Sequence, residues 1–351
     1  MRLGVTAHPT PSRLPVRSWV VTDWRPDRLA RRLPHLRERS RLQATLRAWF
    51  AAQDFVEVET PILQAAPGAE VHLRGFATQW ELPDGARHER WLHTSPEFAM
   101  KKLLAGGIER CFQFARVFRN GERAELHHPE FTMLEWYRAG AGYAAIMEDC
   151  AAILRGLGVP RLRWADNSCD PALEPERLTV AEAFRRHAAC DLFATLGDAP
   201  ALARAARVSR HDGDSWDDVF FRVMGERIEP ALGVGRATIL CEYPISMAAL
   251  ARAKPDDPSV AERFELYCCG VELANAFGEL TDPVLQRARL EADMAEKERL
   301  YGTRWPIDRD FIAALEHGLP DCAGIALGFD RLCALASGAA SIDDVLWLPV
   351  R

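Results

Sequence analysis

Nowhere in the 351-residue chain is there an apolar run approaching the roughly 20 residues that a bilayer-spanning helix needs. The opening stretch, MRLGVTAHPTPSRLPVRSWVV, lacks the apolar segment of a secretory leader. Both absences predict a cytoplasmic protein with no membrane partner. The nine cysteines include no Cys-x-x-Cys spacing, and their odd number fits neither a disulfide framework nor a zinc site. Free, reduced thiols are expected, with adjacent Cys268 and Cys269 on opposite faces of a strand-like run. An excess of positive charge is missing too. Lys and Arg number 44 against 50 Asp and Glu, a net charge of -6, so no global field draws in nucleic acid. Internal repeats and low-complexity tracts are absent.

What is present reads as α+β. Residues 1–34, with five prolines and many arginines, read as an extended N-terminal extension. Leu42, Leu46, Trp49 and Phe50 then mark the apolar face of a helix from Leu36 to Gln53. It runs into an alternating strand, Phe55 to Pro61, stopped by proline. Ser95-Pro96-Glu97 opens a helix, with serine as cap and acid in the first turn. Cys111–Phe118 and Pro129–Tyr137 predict an antiparallel hairpin with a long polar tip. Arg263–Cys268 and Val271–Leu280 predict a second one, turning at Gly270. Pro283–Tyr301 is a charged helix, and Gly324–Phe329 a small-residue strand leading into another. Hairpins outnumber strand-helix-strand units, so the expected sheet is mainly antiparallel and flanked by helices. The domain expected over 35–351 carries an insertion over roughly 166–262 with few convergent polar groups.

Four segments concentrate polar side chains. Thr94-Ser95-Pro96-Glu97 is open to reading as a plain helix cap. On the second, alternation places Phe131, Met133, Glu135 and Tyr137 on one strand face. A carboxylate and a phenol among apolar groups are unusual for core, because a buried charge needs a partner. On the third, Glu265 and Glu272 lie on opposite arms of a hairpin. Paired carboxylates repel unless a cation or a shared proton joins them, and oxygen ligands suit Mg²⁺; two exposed acids are the alternative. On the fourth, Arg331 opposes the dipole of the helix it begins, which an anionic partner such as phosphate would explain.

In chain order these segments resemble one family. Glu57-Val58-Glu59-Thr60-Pro61 is similar to motif 1 of the class II aminoacyl-tRNA synthetases. Phe118-Arg119-Asn120 through Pro129-Glu130-Phe131-Thr132 resembles motif 2, and Gly328-Phe329-Asp330-Arg331 motif 3. Thr94–Glu97, Glu272-Leu273-Ala274-Asn275 and Glu279-Leu280-Thr281-Asp282 narrow the resemblance to the lysyl branch. Motif 1 comes so early that the anticodon-binding OB-fold of ~100 residues, a domain-sized unit, is not expected. The chain resembles instead the truncated paralogues of lysyl-tRNA synthetase, the elongation factor P lysine ligases. Ala326, where the tRNA enzymes generally have glycine, agrees.

The resemblance implies ATP, Mg²⁺, lysine or β-lysine, and elongation factor P as the acceptor partner rather than tRNA. It also implies a homodimer. It places Arg119 on the α-phosphate and carboxylate and Arg331 on the γ-phosphate. Glu265 and Glu272 hold the metal, and Phe131 stacks on adenine, with Asn120, Glu122, His128, Leu273 and Gly328 beside the nucleotide. Ser95, Pro96, Glu97, Tyr137, Asn275, Glu279 and Ala326 form the amino-acid pocket. Glu97 faces the amine near the reacting end, Glu279 and Tyr137 the distal ammonium, and Asn275 the carboxylate. Two residues depart from the pattern: Gly121 follows Asn120 where an acid is usual, and His128 replaces an asparagine. Alternatives are a tRNA-charging or free-amino-acid-adenylating enzyme, and an inactive regulatory paralogue, against which the retained Arg119, Glu265, Glu272 and Arg331 argue.

Overall fold

A computed structural model describes residues 23–351 apart from residue 249. The expected extension over 1–34 lies outside the described residues as far as 22, and from Pro26 onward it is corrected. The first helix, α1, spans Pro26–Ala52, with one proline at its start and Pro34 inside it. Its buried stripe runs through Arg32, Leu36, Arg39, Leu42, Leu46 and Phe50, with arginines at two of its first three positions. An apolar periodicity does not register that first stretch, because buried guanidinium groups carry it. Arg32 donates to the Trp347 carbonyl at 2.7 Å. Arg39 pairs with Asp330 and donates to Thr132 Oγ1 at 2.8 Å.

Among the described residues, the main sheet has nine strands. Eight are β1 (Val56–Glu57), β2 (Arg110–Phe118), β3 (Glu130–Ala139), β4 (Glu176–Thr179), β5 (Thr238–Pro244), β6 (Asp257–Cys268), β7 (Val271–Gly278) and β8 (Cys322–Gly328). They lie in the order β1-β2-β3-β8-β7-β6-β5-β4, and Ala253–Lys254 pairs with β6 as the ninth. The pairs from β2 to β5 are antiparallel, while β1 and β4 join the edges in parallel. Both expected hairpins are therefore present. The motif 1 strand is shorter than expected, only Val56–Glu57 being paired. Cys269 sits with Gly270 in the tight turn after β6, both with positive φ, rather than in a strand. The segment expected as an insertion is not separate from the sheet: it supplies β4 and β5, and residue 262 falls within β6.

Register sorts the sheet into alternating rows, because directly opposed residues share a face. One row crosses Phe264, Ala276, Ile325, Trp136 and Phe112. All five belong to the main apolar core, with α1, helix α3 (Tyr143–Gly156) and the helix Phe329–Ser337 packed over them. The adjacent row crosses Glu265, Asn275, Ala326, Glu135 and Gln113, and is almost wholly polar. One face is thus core and the other is the floor of a site.

Glu272 reaches that floor through an irregularity. Strict alternation would set it opposite to Asn275, three residues on. A β-bulge between Leu266 and Tyr267 shifts the register, so that Tyr267 opposes Glu272 while Glu265 opposes Asn275.

The central strand β8 is built from small residues because other side chains must cross it. A Cβ on Gly324 would fall 2.2 Å from Tyr137 Cε1 and 2.9 Å from Glu279 Oε1. Gly324→Ala is expected to cost about 1–3 kcal/mol through this overpacking. Urea unfolding reads it, and a stability equal to the parent's would show that the strand has room for the methyl group.

Candidate active site

Above the polar row lies a cavity of about 480 Å³. Of the expected residues, Ser95, Glu97, Asn275 and Ala326 line one part of it. Arg119, Glu122, Phe131, Leu273, Gly328 and Arg331 line another, with Glu272 and His128.

One end is a buried charge cluster. Helix α2 (Glu97–Ala105) brings Lys101 one turn beyond Glu97, on the same face. Lys101 is 1% exposed, and its Nζ lies 2.5 Å from both Glu97 Oε1 and Glu279 Oε2. Glu135, equally buried, accepts from Ser95 Oγ at 2.8 Å and from the Tyr137 hydroxyl at 2.5 Å. Burial, then the charge on Glu97, pushes Glu135 up to about 8. Burial pushes Glu279 up to about 7, against the opposing pull of Lys101. Burial alone would lower Lys101, but Glu279 and Glu97 more than reverse it, and its pKa is raised. Glu97 and Glu279 thus share a single ammonium while Glu135 has only hydroxyl donors, which leaves the cluster short of positive charge when all three are ionised. Amino groups on a ligand would complement it.

The other end carries fixed positive charge. Arg119 follows β2, and its guanidinium lies 5.2 Å from the centre of the Phe131 ring, with Nε buried and without a protein partner. Asn275 Oδ1 is likewise buried and unpartnered. Arg331, in the first turn of Phe329–Ser337, donates to the Glu272 carbonyl at 2.9 Å and contacts His127 Nε2 at 2.8 Å. Burial, then Arg331, lowers the pKa of His127, which favours a neutral ring accepting from the arginine. Glu265 is heavily engaged. It accepts from the Tyr243 hydroxyl at 2.6 Å, the Tyr267 hydroxyl at 2.7 Å and Arg263 Nη2 at 2.7 Å. Glu272 keeps 42% of its side chain open and stands 3.7 Å from Arg331. The described residues include no group of three His, Cys, Asp or Glu that could hold a metal by itself. The donor set fits Mg²⁺, which takes one or two carboxylates and completes its shell with phosphate oxygens and water.

Several expected placements change. Asn120 is exposed and absent from the cavity wall, with its backbone N–H bound to the Arg74 carbonyl. His128 reaches the wall, but both ring nitrogens are committed: Nδ1 to the Glu130 carbonyl at 2.5 Å, Nε2 to the Val350 N–H at 3.0 Å. It ties the chain end to the hairpin tip and has no nitrogen left for a nucleotide. Pro96, Tyr137, Glu279 and Glu265 stand behind the wall, as do Glu135 and Lys101, so that of the charge cluster Glu97 reaches the cavity surface and the rest lies directly beneath it. Gly121 has φ +83, where a glutamate would be strained, which accounts for the departure at that position. Sequence reasoning missed Lys101, His127 and Arg263, and left Glu135 outside the site. The signals were present for Lys101, at i+4 from Glu97, and for Arg263, two residues before Glu265 on one strand face.

An antiparallel sheet with an arginine leaving one hairpin, a second opening the last helix and a carboxylate pair between them defines the class. The family model described as tRNA synthetases class II (D, K and N) matches residues 23–351, and the chain belongs to this family. Within it, the chain is 40% identical over 335 residues to the elongation factor P--(R)-beta-lysine ligase of Vibrio cholerae serotype O1, covering 93% of this chain and 98% of that one. Ligases of the same name from Klebsiella pneumoniae and Haemophilus influenzae are 38% and 36% identical, each over 90% of this chain and 94% of their own.

The raised carboxyls set a pH dependence. Between the usual carboxylate range and about 7 to 8, the folded state holds protons at Glu279 and Glu135 that the unfolded chain has released. Their contribution to stability therefore falls as pH rises through that window, and a bound cation pairing with the ionised forms would restore it. Thermal-shift titration should show lysine stabilising the protein more at a pH of about 8.5 than at about 6. Equal shifts at both would contradict the charge assignment.

Proposed function

We propose that the chain activates lysine or (R)-β-lysine with ATP as an aminoacyl-adenylate and transfers the acyl group to a lysine side chain of elongation factor P. The observation that carries the reading is the charge-deficient cluster of Glu97, Glu135 and Glu279 around Lys101, at one end of a cavity whose other end presents Arg119 and Arg331. Two amines neutralise the first end, and phosphates suit the second. The relatives' shared name and their near-full-length coverage supply the acceptor.

In this mechanism the amino-acid carboxylate attacks the α-phosphorus in line, and pyrophosphate leaves. Glu97 and Glu135 orient the amine near the reacting end. Glu279 holds the distal ammonium, with the Tyr137 hydroxyl fixing Glu135 beside it. Asn275 faces the carboxylate. Arg119 clamps the α-phosphate by charge-assisted hydrogen bonds and forms one face of the adenine slot with Phe131. Arg331, oriented by His127 and the Glu272 carbonyl, meets the γ-phosphate. Glu272, with Glu265 behind it, would hold Mg²⁺, whose chemistry is to neutralise charge on the phosphate oxygens. The acceptor amine then attacks the acyl carbon and AMP departs. Positioning and preorganised charge supply the rate, with no covalent enzyme intermediate. A homodimer belongs to this reading on family grounds.

The rival acceptor is tRNA. A net charge of -6 offers no general attraction to it. Incubating the protein with ATP, labelled lysine or β-lysine, and elongation factor P or tRNA in parallel separates the two. Label on elongation factor P is expected, and label on tRNA alone would overturn the acceptor assignment. Arg331→Ala is expected to slow ATP–pyrophosphate exchange by about 10²–10³-fold, the effect of losing one preorganised transition-state donor. Full exchange in that variant would remove Arg331 from the mechanism.

A further inference from the structure

Residues 65–75 form no helix or strand, yet residues 66–73 line the cavity in an unbroken run. Irregular backbone beside a binding site must find hydrogen-bond partners outside any ladder. Here one side chain supplies three of them. Lys297, on the helix Pro283–Tyr301, is 2% exposed. Its Nζ donates to the carbonyls of Leu73 at 2.5 Å, Val71 at 2.8 Å and Glu70 at 3.2 Å. These use all three donors of an ammonium group. The Trp305 ring covers the same nitrogen at 3.7 Å from its centre. These direct partners are dipoles and a ring face, a costly setting for a buried charge that the nearby Glu70 carboxylate offsets only in part. Burial accordingly lowers the lysine's pKa. The segment's other side is tied to the amino-acid end of the site. Thr94 Oγ1 donates to the Pro67 carbonyl at 3.0 Å and reaches Glu70 Oε2 at 3.1 Å, next to Ser95.

We propose that Lys297 is a positioning residue for adenylate formation, clasping residues 66–73 over the cavity so that the amino acid and its adenylate stay enclosed. The proposal rests on the adenylating activity argued above. Lys297 touches no reactant. It acts through the wall it holds, and the wall keeps water from the mixed anhydride. Loosened, the wall admits water to the acyl carbon, the acyl–phosphate bond breaks, and free amino acid and AMP are lost without transfer.

Lys297→Met keeps most of the aliphatic stem and removes the ammonium. Hydrogen exchange at the amides of residues 66–73 should accelerate. In ATP–pyrophosphate exchange the KM for lysine or β-lysine should rise about tenfold while kcat stays within about twofold, the pattern of lost uniform binding. AMP released without an acceptor protein should increase severalfold. A folded Lys297→Met protein with parental exchange in 66–73, or with unchanged KM and AMP release, overturns the proposal. Should that variant fail to fold, Thr94→Val loosens the same segment from its other anchor and is judged by the same readouts. A parent enzyme inactive in pyrophosphate exchange would sink the adenylation reading instead. Hydrogen exchange would still judge the clasp, supporting it if accelerated and overturning it if not.

Discussion

The structure depends on how closely side chains pass over the middle strand of the sheet. Tyr137 and Glu279 occupy the space above Gly324 that any Cβ would claim. Because that strand is thin, the flanking strands bring Glu135 and Asn275 to either side of Ala326, in one cross-strand row. The apolar row beside it anchors the sheet to its helices, so neither row shifts without exposing the core. The polar floor is therefore as rigid as the core beneath it.

Charge on that floor is deliberately incomplete. Lys101 is fully buried between Glu97 and Glu279, while Glu135 has only hydroxyl donors. Buried carboxylates without full compensation are costly, and the raised pKa values of Glu135 and Glu279 express that cost. In the proposed function a diamino acid relieves it, making binding energy available to orient the reacting carboxylate. The opposite end is already positive, with Arg331 braced by His127 and a backbone carbonyl before any phosphate arrives. Such bracing spares reorganisation during the reaction.

What the sequence disclosed was what local chemistry determines. The two hairpins and the helix Pro283–Tyr301 follow from alternation, turn residues and a proline start. Arg331 was legible because an arginine at a helix start requires an explanation, and Arg119 through the motif 2 resemblance. Other features depend on distant parts of the chain. The start of α1 was hidden because its first buried position is Arg32, which donates to a carbonyl at the far end of the chain. The choice of His127 over His128 turns on a one-residue phase within a loop, where no periodicity operates. Glu272 joins Asn275's face only through a bulge. Lys101 stands at i+4 from Glu97 in the sequence, but its burial depends on Glu279, far along the chain.

The central claim is that the carboxylate cluster selects a diamino acid. ATP–pyrophosphate exchange with lysine and with norleucine, the same chain without its distal amine, tests it most directly. Lysine should support exchange with a kcat/KM at least about 100-fold higher, because norleucine leaves buried charged groups unpaired. Comparable exchange with both would contradict the account.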